Sequence, residues 1–326
     1  MIADHHAIMP GHEQAWAQWD SAMAGERMHH AWLLAGPKGV GKAAFAMAAA
    51  RHLVTGRDAQ PSDGYHPDIL VLERLPATAD EEKKREEGKA YQLKRNIAID
   101  QIRAMQQRLN TRPTLGARRA IIIDAADDLE KSAANALLKS LEEPPAGSFF
   151  LLVAHNPGRL LPTIRSRCRL VRFPGLSDEQ IDRILADRAP QATADARAAA
   201  LAAANGSPGT AIAFLAHDLG GVYVAMQTIM RQGDAAFALR SQLADMIGPR
   251  PDRERMRAVI DLARAVTARA LPGSSRQTMP TLIDAHEAFN RLGREAPLYN
   301  YDPGLLALEI GALLVNAAGP REPGHD

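Results

Sequence analysis

The sequence predicts an α/β domain built on a parallel sheet, continued by a second half made of helices alone. Three observations carry this. Short apolar runs alternate with helical stretches up to Phe173, a glycine loop joins one such run to a helix, and no strand-like run follows Pro174. Strand–helix alternation is the pattern of a parallel sheet with helices on both faces.

The elements follow in order. AWLLAG, Ala31 to Gly36, is a short apolar run ending in glycine, as in a buried strand. KAAFAMAAARHLV, Lys42 to Val54, is alanine-rich and helical. HPDILVLE, His66 to Glu73, is the next strand. The mixed charge run from Ala79 to Asn96 reads as a solvated insertion, partly helical or mobile. Ile97 to Asn110 begins as a short strand and turns helical, with Asp100 as the expected N-cap. Ala120 to Ile123 is the clearest buried strand and ends in Asp124, after which Asp127 and Asp128 are expected to cap a helix. That helix, Glu130 to Pro145, is stopped by a double proline. Ser148 to His155 and Arg165 to Phe173 complete the strands.

Beyond Pro174 the pattern changes. Ser177 and Gln180 form a capping pair for the first helix, and Gly206, Pro208 and Gly209 mark a turn. Longer amphipathic helices start near Gly220 and break at Gly248 to Asp252 and at Leu271 to Ser275. The tail GPREPGHD is expected to be disordered.

Composition sets the bounds. A chain of 326 residues with 46% apolar and 24% charged residues is an ordinary globular one, long enough for two or three domains. Lys and Arg number 39 against 38 Asp and Glu, a net charge of +1, which leaves only a local basic surface for nucleic acid. No run approaches the ~18 apolar residues that would span a bilayer, and the first residues lack a signal-peptide core, so the expected location is the cytoplasm, with no membrane partner. Cys168 is the one cysteine, which excludes internal disulfides and zinc sites built on several thiolates. His5, His6, His12, His29 and His30 gather near the start without metal-ligand spacing and read as a solvated, partly flexible segment.

GPKGVGKA, Gly36 to Ala43, carries the chemistry of the first half. In a phosphate-binding loop, successive backbone N–H groups converge on an anion at a helix N-terminus. Gly36, Gly39 and Gly41 permit the tight wrap, and Lys42 reaches the outer phosphates. The strand–loop–helix order makes an incidental glycine turn the weaker alternative. Magnesium normally takes a hydroxyl from the residue after the lysine, but Ala43 has none, and neither has Ala44. Asp124 ends a suitable strand for the magnesium-side carboxylate, yet Ala125 stands where a glutamate would activate water. Hydrolysis at this loop is therefore not expected.

The stretches IIIDAADDLEKSAANALLKSLEEPP, FFLLVAHNPGRLLPTIRSRCRLVRF and GSPG together resemble the clamp-loader branch of the AAA+ ATPases, and within it the delta-prime subunits of bacterial DNA polymerase III. The resemblance is dense from about His30 to Phe173 and thinner to Leu215. It returns in AHEAFNRLGREAPLYNYDPGLLALEIGALL. It implies an AAA+ P-loop domain over 1–173, a small helical lid over 174–218 and an all-α collar for oligomerisation over 219–326. It implies a subunit that works with ATPase motor and clamp-opening subunits, a sliding clamp and primer–template DNA. In such assemblies a serine–arginine–cysteine motif lends its arginine to the neighbour's ATP. Here that motif is Ser166, Arg167 and Cys168, so Arg167 becomes the arginine finger, against the plain alternative of a solvated basic edge with Arg165, Arg169 and Arg172.

The first sensor position aligns with Ala154 beside His155, and the second with Gly209; neither keeps the family's polar residue. No cysteine falls between Arg51 and Asp68, where many family members carry a zinc module, so zinc is not expected and the interval reads as a short loop. The resemblance thus implies a stator-like subunit that requires no cofactor of its own, with ATP or ADP binding weak or vestigial. Two other classes stay open. An active AAA+ ATPase is favoured by Lys42 and Asp124; a plain nucleic-acid-binding module has little support from the charge and the 5% aromatic content.

Overall fold

The computed structural model describes residues 11–25, 27–56, 66–89, 91–234, 236–249, 251–296 and 301–318. His5, His6, part of the interval expected to be a short loop, and the tail from residue 319 lie outside the described residues. The chain divides into two compact units, Met1–Ser177 and Asp178–Asp326.

The first unit holds β1 (Ala31–Ala35), β2 (Ile69–Leu72), β3 (Arg119–Asp124), β4 (Ser148–Ala154) and β5 (Arg169–Arg172). They form one sheet in the order β2-β3-β4-β1-β5, and every pairing is parallel. Side chains alternate between the faces. Trp32, Leu34, Ile122, Leu151 and Val153 pack on one side, with α1 (Glu13–Ala24) and α2 (Lys42–Thr55). Leu33, Ile121, Ile123, Phe150 and Leu152 pack on the other, with α4 (Ile99–Leu109) and α5 (Lys131–Glu142). Burial on both faces explains why these strands read as continuous apolar runs rather than alternating ones.

Four readings of the sequence need correction. The N-terminal segment is not simply solvated: α1 buries Trp16 and Trp19, and His12 is buried with them. The charged insertion is partly helical as expected, with α3 (Ala79–Glu86), but it is not wholly solvated: Glu81 is buried and accepts a hydrogen bond from the Gln92 amide at 2.5 Å. Asp100 is not the N-cap of α4. That position is Ala98, whose amide donates to Gln101 Oε1 at 3.2 Å. Asp127 and Asp128 do not cap α5 either. Glu130 holds the cap position without a side-chain bond to the helix amides, while Asp128 pairs with Arg74 at 3.1 Å.

At the N-terminal end of the sheet lies a buried ion pair, Asp68 with Arg119, 3.7 Å apart and almost fully enclosed. Asp68 accepts from the Thr114 and Leu115 amides at 2.6 and 2.8 Å, and Arg119 donates to the carbonyls of Arg108 and Arg112 at 2.6 and 2.9 Å. The pair thus fixes the connection between α4 and β3 from both sides.

The second unit is helical in every described element: α7 (Asp178–Arg188), α8 (Ala194–Ala204), α9 (Pro208–Ala216), α10 (Gly220–Gln232), α11 (Ala238–Ile247), α12 (Arg253–Ala270), α13 (Met279–Glu295) and α14 (Pro303–Ala317). The turn expected around Gly206 is made by Asn205 and Gly206, both with positive φ, and Ser207 caps α9 by accepting from the Thr210 amide. Among the described residues no single helix is long and apolar enough to cross a membrane.

The buried pair yields a prediction. Burial alone would push the Asp68 pKa up, but the Leu115 and Thr114 amides and the Arg119 charge hold it below the usual carboxylate value. Asp68→Ala leaves Arg119 buried and uncompensated, so urea unfolding at neutral pH should show a loss of roughly 3–5 kcal/mol. A depressed carboxylate stabilises fully above its unfolded pKa of ~3.9 and loses that contribution as pH falls through the folded value. The gap between wild type and variant should therefore narrow in acid.

Candidate functional site

The loop from Gly36 to Lys42 leaves the C-terminal end of β1 and enters α2 directly. Gly39 and Gly41 have φ of +79° and +102°, conformations a side chain would strain, and Gly41 occupies the N-cap position of α2. Gly36 is required for a different reason. A Cβ there would lie 2.0 Å from the Phe173 carbonyl oxygen, because the chain leaving β5 runs tightly against the loop. His12 completes the scaffold: its Nε2 bonds the Val40 carbonyl at 2.5 Å, and its ring stands edge-on to Phe173 at 4.8 Å. Burial lowers the His12 pKa, which favours the neutral ring that donates to Val40.

Lys42 is buried and folded back on its own loop, donating to the Gly36 and Pro37 carbonyls at 2.6 and 2.5 Å. Burial pulls its pKa down to about 8, opposed by the charges of Asp127 and Asp124. Asp124 shifts upward, chiefly through burial, with Glu73, Asp128 and Asp127 adding like charge and Lys42 opposing. Lys42 and Asp124 are thus brought together as the motif requires, but in a neighbourhood rich in carboxylates. Ala43 and Ala44 are exposed at the start of α2, and Ala125 is buried after Asp124. None of the three offers a side-chain oxygen to a metal.

The sequence did not reveal the role of Asp127. Its Oδ2 accepts from the amides of His155 and Asn156 at 2.6 and 2.8 Å, pinning the chain that leaves β4 at Ala154. The carboxylate lies far from these partners in sequence, so no local pattern announces the contact. An open cleft of about 860 Å³ runs beside the loop from Gly36 and Pro37, past His155, to Arg165 and Arg172. Gly209 is the second residue of α9, in the helical unit.

Ser166, Arg167 and Cys168 lie between α6 (Pro162–Arg165) and β5. Since β5 runs parallel to β1 with Arg169 opposite Trp32, Arg167 sits at the N-terminal end of the sheet, whereas Gly36 to Lys42 sits at the C-terminal end. At ~3.3 Å per residue the five residues of β1 separate the two ends by about 16 Å, more than one arginine side chain spans. Arg167 donates from Nη2 to Glu142 at 2.7 Å and from Nη1 to the Thr163 carbonyl at 2.9 Å. Ser166 Oγ donates to the same carbonyl at 3.1 Å. Cys168 packs against the core, and burial pushes its thiol up to about 12, so it is not poised to react. Of the other arginines in the run, Arg169 lies 4.9 Å over the Trp32 ring.

The family model described as DNA polymerase III, delta subunit, matches residues 11–177. The chain belongs to that family. Among its relatives, the DNA polymerase III subunit delta' of Pseudomonas aeruginosa is 36% identical over 221 residues, 63% of this chain and 60% of the relative. The delta' subunit of Escherichia coli is 34% identical over 204 residues, 59% of this chain and 56% of the relative. The matched stretch thus spans less than two thirds of either. A gamma subunit-related protein of Thermotoga maritima superposes with a TM-score of 0.46 at 17% identity, over 94% of this chain and 99% of that one.

The tight approach at Gly36 can be tested directly. In Gly36→Ala the new methyl must displace the backbone at Phe173, and overpacking of this kind costs about 1–3 kcal/mol or more. Thermal unfolding of the variant should show a clearly lowered midpoint; an unchanged midpoint would mean that the loop has room there.

Proposed function

We propose that the chain is a non-hydrolysing, stator-like clamp-loader subunit of a DNA polymerase III holoenzyme, which lends Arg167 to ATP held by a neighbouring subunit. Its action would help to load the sliding clamp on primed DNA during replication, in the cytoplasm. The observation that carries this reading is the position of Arg167 at the sheet end opposite its own loop. An arginine on the edge opposite its own Lys42 is placed to meet a phosphate held by another molecule rather than one held by its own loop. Family membership supports the same reading.

The chemistry required of Arg167 is modest. Its guanidinium is planar, permanently charged and rich in N–H donors, so it can stabilise charge on a phosphoryl group as that group is transferred. Ser166 and Cys168 serve it through the backbone, one by tying the turn to Thr163 and the other by filling the core beneath. Residues 1–173 form the AAA+ domain in this reading, 174–218 the lid and 219–326 the collar that meets the other loader subunits.

The chain's own loop needs no nucleotide for this role. ATP or ADP binding there is weak, because Lys42 faces Asp127 and Asp124 and Ala43 supplies no magnesium ligand. Lys42 and Asp124 keep a second reading in view, that of an active ATPase. Turnover by the isolated chain that disappears in Lys42→Ala would establish it.

Two measurements follow. Arg167→Ala should leave assembly intact and depress DNA-stimulated ATP hydrolysis by the reconstituted loader. Arginines supplied in trans contribute ~10³–10⁵ in rate elsewhere, so the site it serves should fall nearly silent and total phosphate release should drop by that site's share. Unchanged release contradicts the proposal. Titration of the isolated chain with a fluorescent ATP analogue should show weak binding that magnesium barely alters. A bound phosphate favours charged Lys42 and raises its pKa from about 8, so binding takes up a proton as pH rises past that value. Affinity should therefore hold below pH 8 and fall by up to about tenfold per unit above it.

A further inference from the structure

Glu142 ends α5 at the N-terminal edge of the sheet, just before the double proline that stops the helix. A carboxylate at a helix C-terminus meets the negative end of the helix dipole, so its presence there calls for a cation. Arg167 supplies one, with Nη2 at 2.7 Å from Glu142 Oε1. On the far side, Nη1 is held by the Thr163 carbonyl at 2.9 Å and approaches Ser166 Oγ at 3.4 Å. The helix end itself is fixed, since His30 Nε2 bonds the Leu141 carbonyl at 2.8 Å.

These contacts grip the guanidinium from two elements that meet only through the fold. They occupy at most three of its five N–H groups, leaving the rest for an incoming anion. The side chain is about one-third exposed, and Glu142 about half, so the grip lies at the surface where another subunit can approach. A free arginine there would spread over many rotamers, and holding it in one removes that entropy before the phosphate arrives.

We propose that Glu142 is a positioning residue for Arg167, holding the guanidinium in the orientation in which its remaining N–H groups meet a phosphate bound by the adjoining subunit. This rests on the reading of Arg167 as an arginine supplied in trans. Glu142 touches no nucleotide itself. Its effect is on kcat at the served site, and not on how tightly the neighbour's own loop binds ATP.

The test uses the reconstituted loader with this chain carrying Glu142→Ala, Glu142→Gln, Glu142→Asp, Arg167→Ala, or the Glu142→Ala and Arg167→Ala pair. DNA-stimulated ATP hydrolysis is followed for kcat and KM. Glu142→Ala should lower kcat at the served site by about tenfold with KM unchanged, as expected for a loosened catalytic geometry. Glu142→Asp, which keeps the charge but shortens the reach, should fall in the same way, and it decides the matter should the alanine variant fail to assemble. Glu142→Gln, which keeps an acceptor at full reach, should recover most of the rate. The double variant should be no slower than Arg167→Ala alone. Wild-type or faster turnover in Glu142→Ala or Glu142→Asp overturns the proposal, as does an additive loss in the double variant. If Arg167→Ala itself leaves turnover unchanged, what fails is the trans reading on which the proposal rests.

Discussion

The parallel pairing of β1 with β4 and β5, and of β4 with β3, governs which edge of the sheet each charged group of the site occupies. In a parallel sheet all strands end on the same side, so segments that follow strands gather at one edge and segments that precede them at the other. Gly36 to Lys42, Asp124 and the chain after Ala154 follow strands and share the C-terminal edge. Arg167 and Glu142 precede strands and share the opposite edge. The separation of the two charged groups is a consequence of topology, and no local change of side chain can undo it.

The two edges differ in how they handle charge. At the C-terminal edge, Lys42 is buried against carbonyls and carboxylates, and its own loop takes up two of its three donors. A phosphate would have to displace those contacts and enter a field set by Asp124, Asp127, Asp128 and Glu73 without a hydroxyl to help hold magnesium. At the N-terminal edge, Arg167 keeps its charge at the surface, braced by Glu142 and Thr163. Exposed pairs of this kind contribute little to stability, about 0–1 kcal/mol, which is consistent with a role in placing the side chain.

Much of this was legible in the residues. The apolar runs at Ala31 to Ala35, Ala120 to Ile123 and Ser148 to Ala154 gave the strands, and the glycines with Lys42 gave the loop, because both are set by local chain chemistry. What stayed hidden depends on contacts distant in sequence. Asp127 reads as a helix cap until the chain after β4 folds onto it. His12 reads as one of several surface histidines until α1 carries it under Val40. Glu81 sits in a charge run that looks fully solvated, yet the returning chain at Gln92 buries it. Asp100 reads as the helix cap until Gln101 reaches back to accept from the Ala98 amide, which sets the cap two residues earlier.

In the proposed role, Arg167 faces a phosphate belonging to another subunit. The most direct measurement is a structure of the assembled loader trapped with a non-hydrolysable ATP analogue and primed DNA. The Arg167 guanidinium should lie within hydrogen-bond distance of a phosphate held by an adjoining subunit. An assembly in which Arg167 points to solvent, with every bound phosphate out of its reach, would contradict it.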